Sequence, residues 1–91
     1  MFVMISYDVG DDSKRSKLMK LLKDYGTRVQ KSVFECNLSP EIFKYVKHSV
    51  EKIINKRKDR VRYYKMCGGC HDKVEISGWG EVTEDEEFHV I

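Results

Sequence analysis

Thr27-Arg28-Val29-Gln30-Lys31-Ser32-Val33-Phe34-Glu35-Cys36-Asn37-Leu38 is the stretch that decides how this chain folds. Its composition is that of a strand, with Val29, Val33 and Phe34 set among polar residues. Phe34, Cys36 and Leu38 recur at every second position and so share one face of a pleated segment. Helical patterns lie on either side of it. Two strands within the stretch give the order β-α-β-β-α-β, an α+β sandwich of the ferredoxin-like kind. Residues 27–38 are few for two strands and a turn, so the competing expectation is one bulged or kinked strand.

Upstream, Leu18, Leu21, Leu22 and Tyr25 recur at helical spacing and predict an amphipathic helix over 13–25 with its lysines outward. Asp11, Asp12 or Ser13 is available to cap it, and Gly26 is the expected C′ stop. Before it, Phe2–Tyr7 is an apolar run of β-formers, a buried strand that ends at Asp8 and leads into the loop Asp8-Val9-Gly10-Asp11-Asp12-Ser13. Downstream, Ser39-Pro40-Glu41 opens a second helix with a cap, a proline at N1 and an early acid. Ile42, Phe43, Val46, Val50, Ile53 and Ile54 are its expected buried stripe. Arg60–Met66 reads as a strand in which Val61 and Tyr63 alternate against Arg62 and Tyr64, followed by short strands around Lys73–Ser77 and Glu86–Ile91. No repeat, linker or low-complexity tract interrupts the chain. It reads as one domain over 1–91, with a core to about residue 77 and a tail strand over 78–91.

With 91 residues, 41% of them hydrophobic, a core is feasible, but a chain this short buries only about 60–65% of its unfolded surface. A partner subunit is therefore expected. No apolar run approaches the roughly 18 residues that span a membrane. The apolar start Met1–Ile5 lacks a basic leader and meets Ser-Tyr-Asp too soon for a signal peptide, which points to the cytoplasm. Three cysteines, an odd number, argue against a secreted disulfide framework. Twelve lysines and eight glutamates against one glutamine and two asparagines lean towards a heat-adapted source.

The charge is unevenly spread. The net +2 resolves into +8 over residues 1–65 and −6 over 66–91. Within 13–32, Lys14, Arg15, Lys17, Lys20, Lys23, Arg28 and Lys31 stand against the single acid Asp24. Such clustering suits a nucleic-acid backbone, because each cation displaces condensed counterions. The plainer alternative is a solvated helix face followed by ordinary strand charges.

Cys67-Gly68-Gly69-Cys70-His71 fits the pattern for covalent haem attachment, but the strand-like flanks and the expected cytoplasmic location count against it. A redox dithiol needs the second cysteine to open a helix, whereas His-Asp-Lys-Val-Glu-Ile reads as strand. Structural zinc wants four ligands, so Cys36, His71 or a second subunit would have to complete the set. Two small residues flanking a Gly-Gly turn is the favoured reading.

Asp8 brings a carboxylate to the end of the first strand. A lone carboxylate is a poor Mg²⁺ site, since hard cations take several oxygens. A symmetric dimer would bring two copies together. Taken alone, Asp8 is an ordinary turn residue before Gly10. Together with its surroundings it resembles the CRISPR-associated protein two family, the small subunit of the spacer-acquisition machinery of an antiviral defence. The resemblance rests on Tyr7-Asp8 closing the first strand and on Arg15 with the Leu18/Leu21/Leu22 stripe. Most specific are Tyr25-Gly26-Thr27-Arg28-Val29-Gln30-Lys31-Ser32-Val33-Phe34-Glu35 and Asp59-Arg60-Val61-Arg62-Tyr63-Tyr64, with Cys67…Cys70 as a family variant. The match runs through about residues 1–77.

The resemblance implies a ferredoxin-like homodimer whose C-terminal strand extends the partner's sheet, with Phe88 and Val90 covering the edge and Glu86 and Glu87 wet. It implies a metal-dependent endonuclease acting on RNA or DNA, with Asp8 as catalytic residue and ligand to Mg²⁺ or another divalent cation, facing its symmetry mate. Tyr7, Arg15, Arg28, Ser32 and Phe34 would line or support that site. It also implies a scaffold between two dimers of the CRISPR integrase, with Lys14, Arg15, Lys17, Lys20 and Arg28 on the DNA backbone. No histidine stands beside Asp8 as a general base: His48, His71 and His89 fall in the second helix, the turn and the tail. A non-catalytic DNA-binding scaffold and a stand-alone toxin-like ribonuclease are the rival readings, with a metal sensor at Cys67 and Cys70 as a weaker third.

Overall fold

Val3, Ile5 and Tyr7 are buried, while Phe2, Met4, Ser6 and Asp8 between them point the other way. They form β1 (Phe2–Asp8), the central strand of the sheet. The structure, a computed structural model, describes residues 1–66 and 73–79. Along the chain follow α1 (Asp12–Lys23), β2 (Gly26–Gln30), β3 (Val33–Asn37), α2 (Pro40–Ile53), β4 (Arg60–Met66) and β5 (Lys73–Gly78). The five strands are ordered β2-β3-β1-β4-β5 and every adjacent pair is antiparallel. This is the expected ferredoxin-like α+β sandwich, with β5 added beside β4.

Residues 27–38 hold both expected features. They form a hairpin across Lys31-Ser32, and its first strand carries a register shift between Arg28 and Gln30. Phe34, Cys36 and Leu38 share the buried face as their spacing predicts. Gly26 does not act as a left-handed stop. The helix ends earlier, capped at Asp24, and Gly26 begins β2. A Cβ there would lie 2.3 Å from the Glu35 carbonyl oxygen and 2.4 Å from Cys36 Sγ, so the close strand approach is what demands glycine.

Both helices start on the expected caps. The Lys14 amide donates to Asp11 Oδ2 at 2.9 Å, and the Ile42 amide donates to Ser39 Oγ at 3.2 Å. Leu18 and Leu22 of α1 and Phe43, Val46 and Val50 of α2, with Ile54 just beyond it, cover one face of the sheet. Ile42, expected in the buried stripe, is exposed instead: it sits on the flank of a helix whose apolar arc is centred on Phe43, Val46 and Val50.

A polar brace ties α2 to β5. Tyr63 packs edge-on against Phe43, with centroids 5.5 Å apart, and its hydroxyl lies 2.9 Å from Ser77 Oγ. The Ser77 hydroxyl donates to Glu51 Oε2 at 2.8 Å. Burial drives the Tyr63 phenol far above its ordinary range. The Glu75 carboxylate accepts from Lys47 Nζ at 2.7 Å and pairs with Lys65 as well. Burial would raise the pKa of Glu75, but the two ammonium groups outweigh it and hold the carboxyl below its ordinary value. The Cys-Gly-Gly-Cys-His turn and the expected terminal strand lie outside the described residues. Among the described residues no helix is long and apolar enough to cross a membrane.

Two outcomes follow. Gly78 has φ +108°, and a Cβ there would sit 2.0 Å from the Asp59 carbonyl oxygen. Gly78→Ala is therefore expected to lower stability by about 2 kcal/mol or more, read as a shifted urea midpoint; an unchanged midpoint would refute the close approach. Because the folded-state pKa of Glu75 is depressed, its contribution is present above the ordinary glutamate pKa and is lost as pH falls through the folded value. Glu75→Gln should thus be less stable than wild type at pH 7 and should lose less stability than wild type on acidification to pH 3. Parallel denaturation curves at both pH values would count against the brace.

Candidate functional site at the end of β1

Asp8 ends β1 on the face opposite the helices, because Tyr7 before it is drawn into the core. The hairpin turn is held against this strand end from several sides. The Tyr7 amide donates to the Ser32 carbonyl at 3.0 Å, and its hydroxyl reaches the Lys31 carbonyl at 3.5 Å. The Tyr7 ring stacks on Phe34 with centroids 6.4 Å apart. Arg28 then closes the turn: Nη2 and Nε donate to the Lys31 carbonyl at 2.8 and 3.2 Å, and Nε also approaches the Gln30 carbonyl at 3.4 Å. On the other side, Arg15 Nη1 donates to the Val9 and Gly10 carbonyls at 3.2 and 3.4 Å, while Nη2 pairs with Asp12.

Two clefts meet at this end. One, of about 480 Å³, is lined by Tyr7, Asp8, Asp12, Arg15, Arg28 and Lys31 among others. The second, of about 530 Å³, lies on the sheet face and is lined by Ser6, Asp8, Ser32, Arg60, Arg62 and Trp79, with Tyr7 again between. Asp8, Tyr7 and Ser32 belong to both. The register sets Asp8 opposite Arg60 and Ser6 opposite Arg62. The Asp8 side chain is exposed and makes no hydrogen bond or ion pair among the described residues. The site therefore offers one uncommitted carboxylate inside a ring of cations.

Of the residues named from sequence, Tyr7, Asp8, Arg15, Arg28 and Ser32 come together here. Phe34 is wholly buried and supports the site from behind through Tyr7. Lys14, Lys17 and Lys20 do not line either cleft. On α1, Arg15 and Met19 share the flank beside the cleft, whereas Lys14 and Lys17 follow the opposite flank and Lys20 points outward. Sequence reasoning assigned no site role to Lys31, Arg60, Arg62 or Trp79. Lys31 stood in the basic cluster, and its place in a two-residue turn was the missing clue. Arg60 and Arg62 needed the β1–β4 register, which no local pattern supplies.

The donor set fits part of a metal site. Among the described residues no three acidic, histidine or cysteine side chains gather closely enough to hold an ion. Asp12 lines the same cleft but is committed to Arg15. A hard divalent cation at Asp8 would need further oxygens from phosphate, water or another chain.

A small ferredoxin-like α+β sandwich, with a carboxylate at the end of its central strand and cations on both sides, is the class that fold and site define. Residues 1–74 match the family described as CRISPR associated protein Cas2, and the chain belongs to that family. It is 39% identical to the CRISPR-associated endoribonuclease Cas2 1 of Chloroflexus aurantiacus, with both chains covered in full. It is 37% identical to the CRISPR-associated endonuclease Cas2 2 of Thermus thermophilus, over 96% of this chain and 92% of that one. The crystal structure of Streptococcus pyogenes Cas2 at pH 6.5 superimposes with a TM-score of 0.70 at 36% identity, covering 76% of this chain and 89% of that one.

The Arg28 fork is a structural clamp, and lysine cannot reproduce two-point donation to the turn carbonyls. Arg28→Lys is expected to cost about 1 kcal/mol of stability and to speed amide exchange across residues 30–33. Unaltered exchange there would show that the clamp is dispensable.

Proposed function

We propose that this chain acts as a homodimeric, divalent-metal-dependent endonuclease of CRISPR adaptation, cutting RNA or DNA at a site built on paired Asp8 residues. The observation that carries the reading is the exposed, uncommitted Asp8 carboxylate between two cation-lined clefts. The names of the relatives, endoribonuclease and endonuclease, support phosphodiester hydrolysis as the reaction.

The residues divide the work. Arg15 and Arg28 spend their donors on backbone carbonyls, so they shape the cleft and contribute positive potential more than direct grip. The Lys31 ammonium makes no hydrogen bond or ion pair among the described residues and is the group free to hold a phosphate. Arg62, hydrogen-bonded to the Tyr64 hydroxyl at 3.4 Å, offers the same on the sheet face. Cations placed this way offset the charge that develops on the scissile phosphate. Mg²⁺ or another divalent ion bound at Asp8 would supply Lewis acidity and a more acidic water. His48 lies exposed on α2, away from both clefts, so no histidine of the described residues serves as general base.

Dimerisation is supported by the open face of the sheet. Phe2 and Met66 sit side by side there, 40% and 48% exposed, with Met4 and Tyr64 next in register. A second copy on this face would cover them and bring a second Asp8 to the first. The exchange of C-terminal strands belongs to the same proposal. A scaffold role beside the CRISPR integrase is supported by Lys14, Lys17 and Lys20, whose distance from the Asp8 clefts leaves them for backbone contact with duplex DNA. A cytoplasmic location fits both roles.

Asp8→Ala is compared with wild type on labelled RNA and duplex DNA, with Mg²⁺ or EDTA, reading binding and cleavage from the same samples. Cleavage that needs both Mg²⁺ and Asp8, with a rate loss of at least about 100-fold in the variant and little change in binding, is expected. Binding without cleavage in either protein would leave the scaffold alone standing.

A further inference from the structure

The cleft on the sheet face contains a feature that phosphodiester hydrolysis at Asp8 does not use. Trp79 lies beyond the 1–74 family match, is the chain's only tryptophan, and remains 47% exposed. Its position is set firmly. Its amide donates to the Asp59 carbonyl at 3.2 Å, directly after Gly78 with its positive φ. Asp59 itself is buried, and its Oδ2 accepts from the Asn55 amide at 2.7 Å, so the turn that carries Trp79 is rigid. The Arg60 guanidinium carbon lies 4.7 Å from the indole centroid, which covers one face of the ring with a cation.

An indole backed by a guanidinium on one face and open elsewhere is a stacking platform. The same cleft presents Arg62, Ser6, Ser32 and Asp8. It thus combines an aromatic plane for a base with a cation for the adjoining phosphate, the pairing by which proteins grip single strands without reading sequence. A base inside a duplex has both faces stacked already and offers the indole nothing. We propose that Trp79 and Arg62 form a subsite for one unpaired nucleotide, with Trp79 stacking its base and Arg62 holding its phosphate, next to the phosphodiester at Asp8. The inference rests on the nucleic-acid reading above and narrows it: the site takes single strands or frayed ends, of RNA or DNA alike, in preference to closed duplex.

The lone tryptophan makes the subsite directly observable. The full chain is titrated in EDTA with end-labelled single-stranded RNA, single-stranded DNA of the same sequence, a closed duplex, and a strand of abasic sugar phosphate. Label anisotropy reports total binding, and indole emission reports stacking. Both single strands are expected to quench Trp79 as they bind, whereas duplex and abasic strand bind without quenching. Trp79→Ala should weaken single-strand binding about tenfold and leave abasic and duplex binding within about twofold, while Trp79→Phe retains most of the affinity. Arg62→Ala should weaken single strands and the abasic strand together. A difference between the RNA and DNA arms would add a contact to the 2′-hydroxyl. Normal single-strand binding by anisotropy, with unchanged emission and no effect of Trp79→Ala, overturns the subsite while the nucleic-acid reading stands. Equal weakening of all four ligands by Trp79→Ala also overturns it, because that is the mark of a purely structural tryptophan. Absence of binding by anisotropy to any of them would overturn both.

Discussion

The two-residue period of β1 governs the rest of the molecule. As the central strand it pairs with β3 on one side and β4 on the other, so its register fixes both neighbours. Val3, Ile5 and Tyr7 are committed to the helical layer, each side chain contributing about 1.5–3 kcal/mol through burial. A slip of one residue would expose all three, so the register has no low-energy alternative. With Tyr7 turned inward, Asp8 has to emerge on the opposite face at the strand's end. The position of the carboxylate is a by-product of core packing one residue earlier. The same logic carries Arg60 and Arg62 to its side, since Val61 and Tyr63 between them are also buried.

Much of this was legible beforehand because it depends on local pattern. Strand alternation in β1 and β4, the Ser39 cap and Pro40, and the Phe34–Cys36–Leu38 face all follow from residues close in sequence. What could not be read depends on contact between distant segments. Gly26 looks like a helix stop in sequence, and only the approach of Glu35 and Cys36 shows that its missing side chain is the point. Ile42 carries the right hydropathy for the core, but the helix is rotated about Phe43, Val46 and Val50 and leaves it outside. For the site, the sequence supplied Asp8 and the arginines yet could not say which cations stay available. Lys31, Arg60 and Arg62 became visible beside Asp8 only through turn and register.

The division between arginine and lysine at the site has a chemical cause. A guanidinium offers five donors in a rigid fork, which suits it to gather two or three backbone carbonyls at once. Arg28 does so at the hairpin turn, and Arg15 does so at the loop after β1. Each such bond to a charged donor contributes about 1.5–3 kcal/mol, enough to order short loops that bury little. An ammonium on a flexible stem has no such geometry to satisfy, and Lys31 remains uncommitted at the turn's outer corner. A residue can therefore belong to a site as its frame or as its grip, and basic character alone does not distinguish the two.

Two shortages of the single chain point to one operation. Its sheet has one face layered by helices and another on which Phe2 and Met66 meet water. Its carboxylate at Asp8 stands without the further acidic ligands that a hard cation wants. A two-fold axis through the open face, near the Asp8 end, would relieve both, because an isologous contact repeats every group it brings together. The axis would double the cations along with the carboxylate: Arg60, Arg62 and Lys31 of each copy would flank the centre, and repulsion among them would oppose assembly. A polyanion lying across the axis neutralises that repulsion. Binding of nucleic acid and closure of the dimer are then favourably coupled, each strengthening the other by the same free energy. On this argument the geometry that makes one chain a poor metal site is what makes two chains a site that assembles best on its substrate.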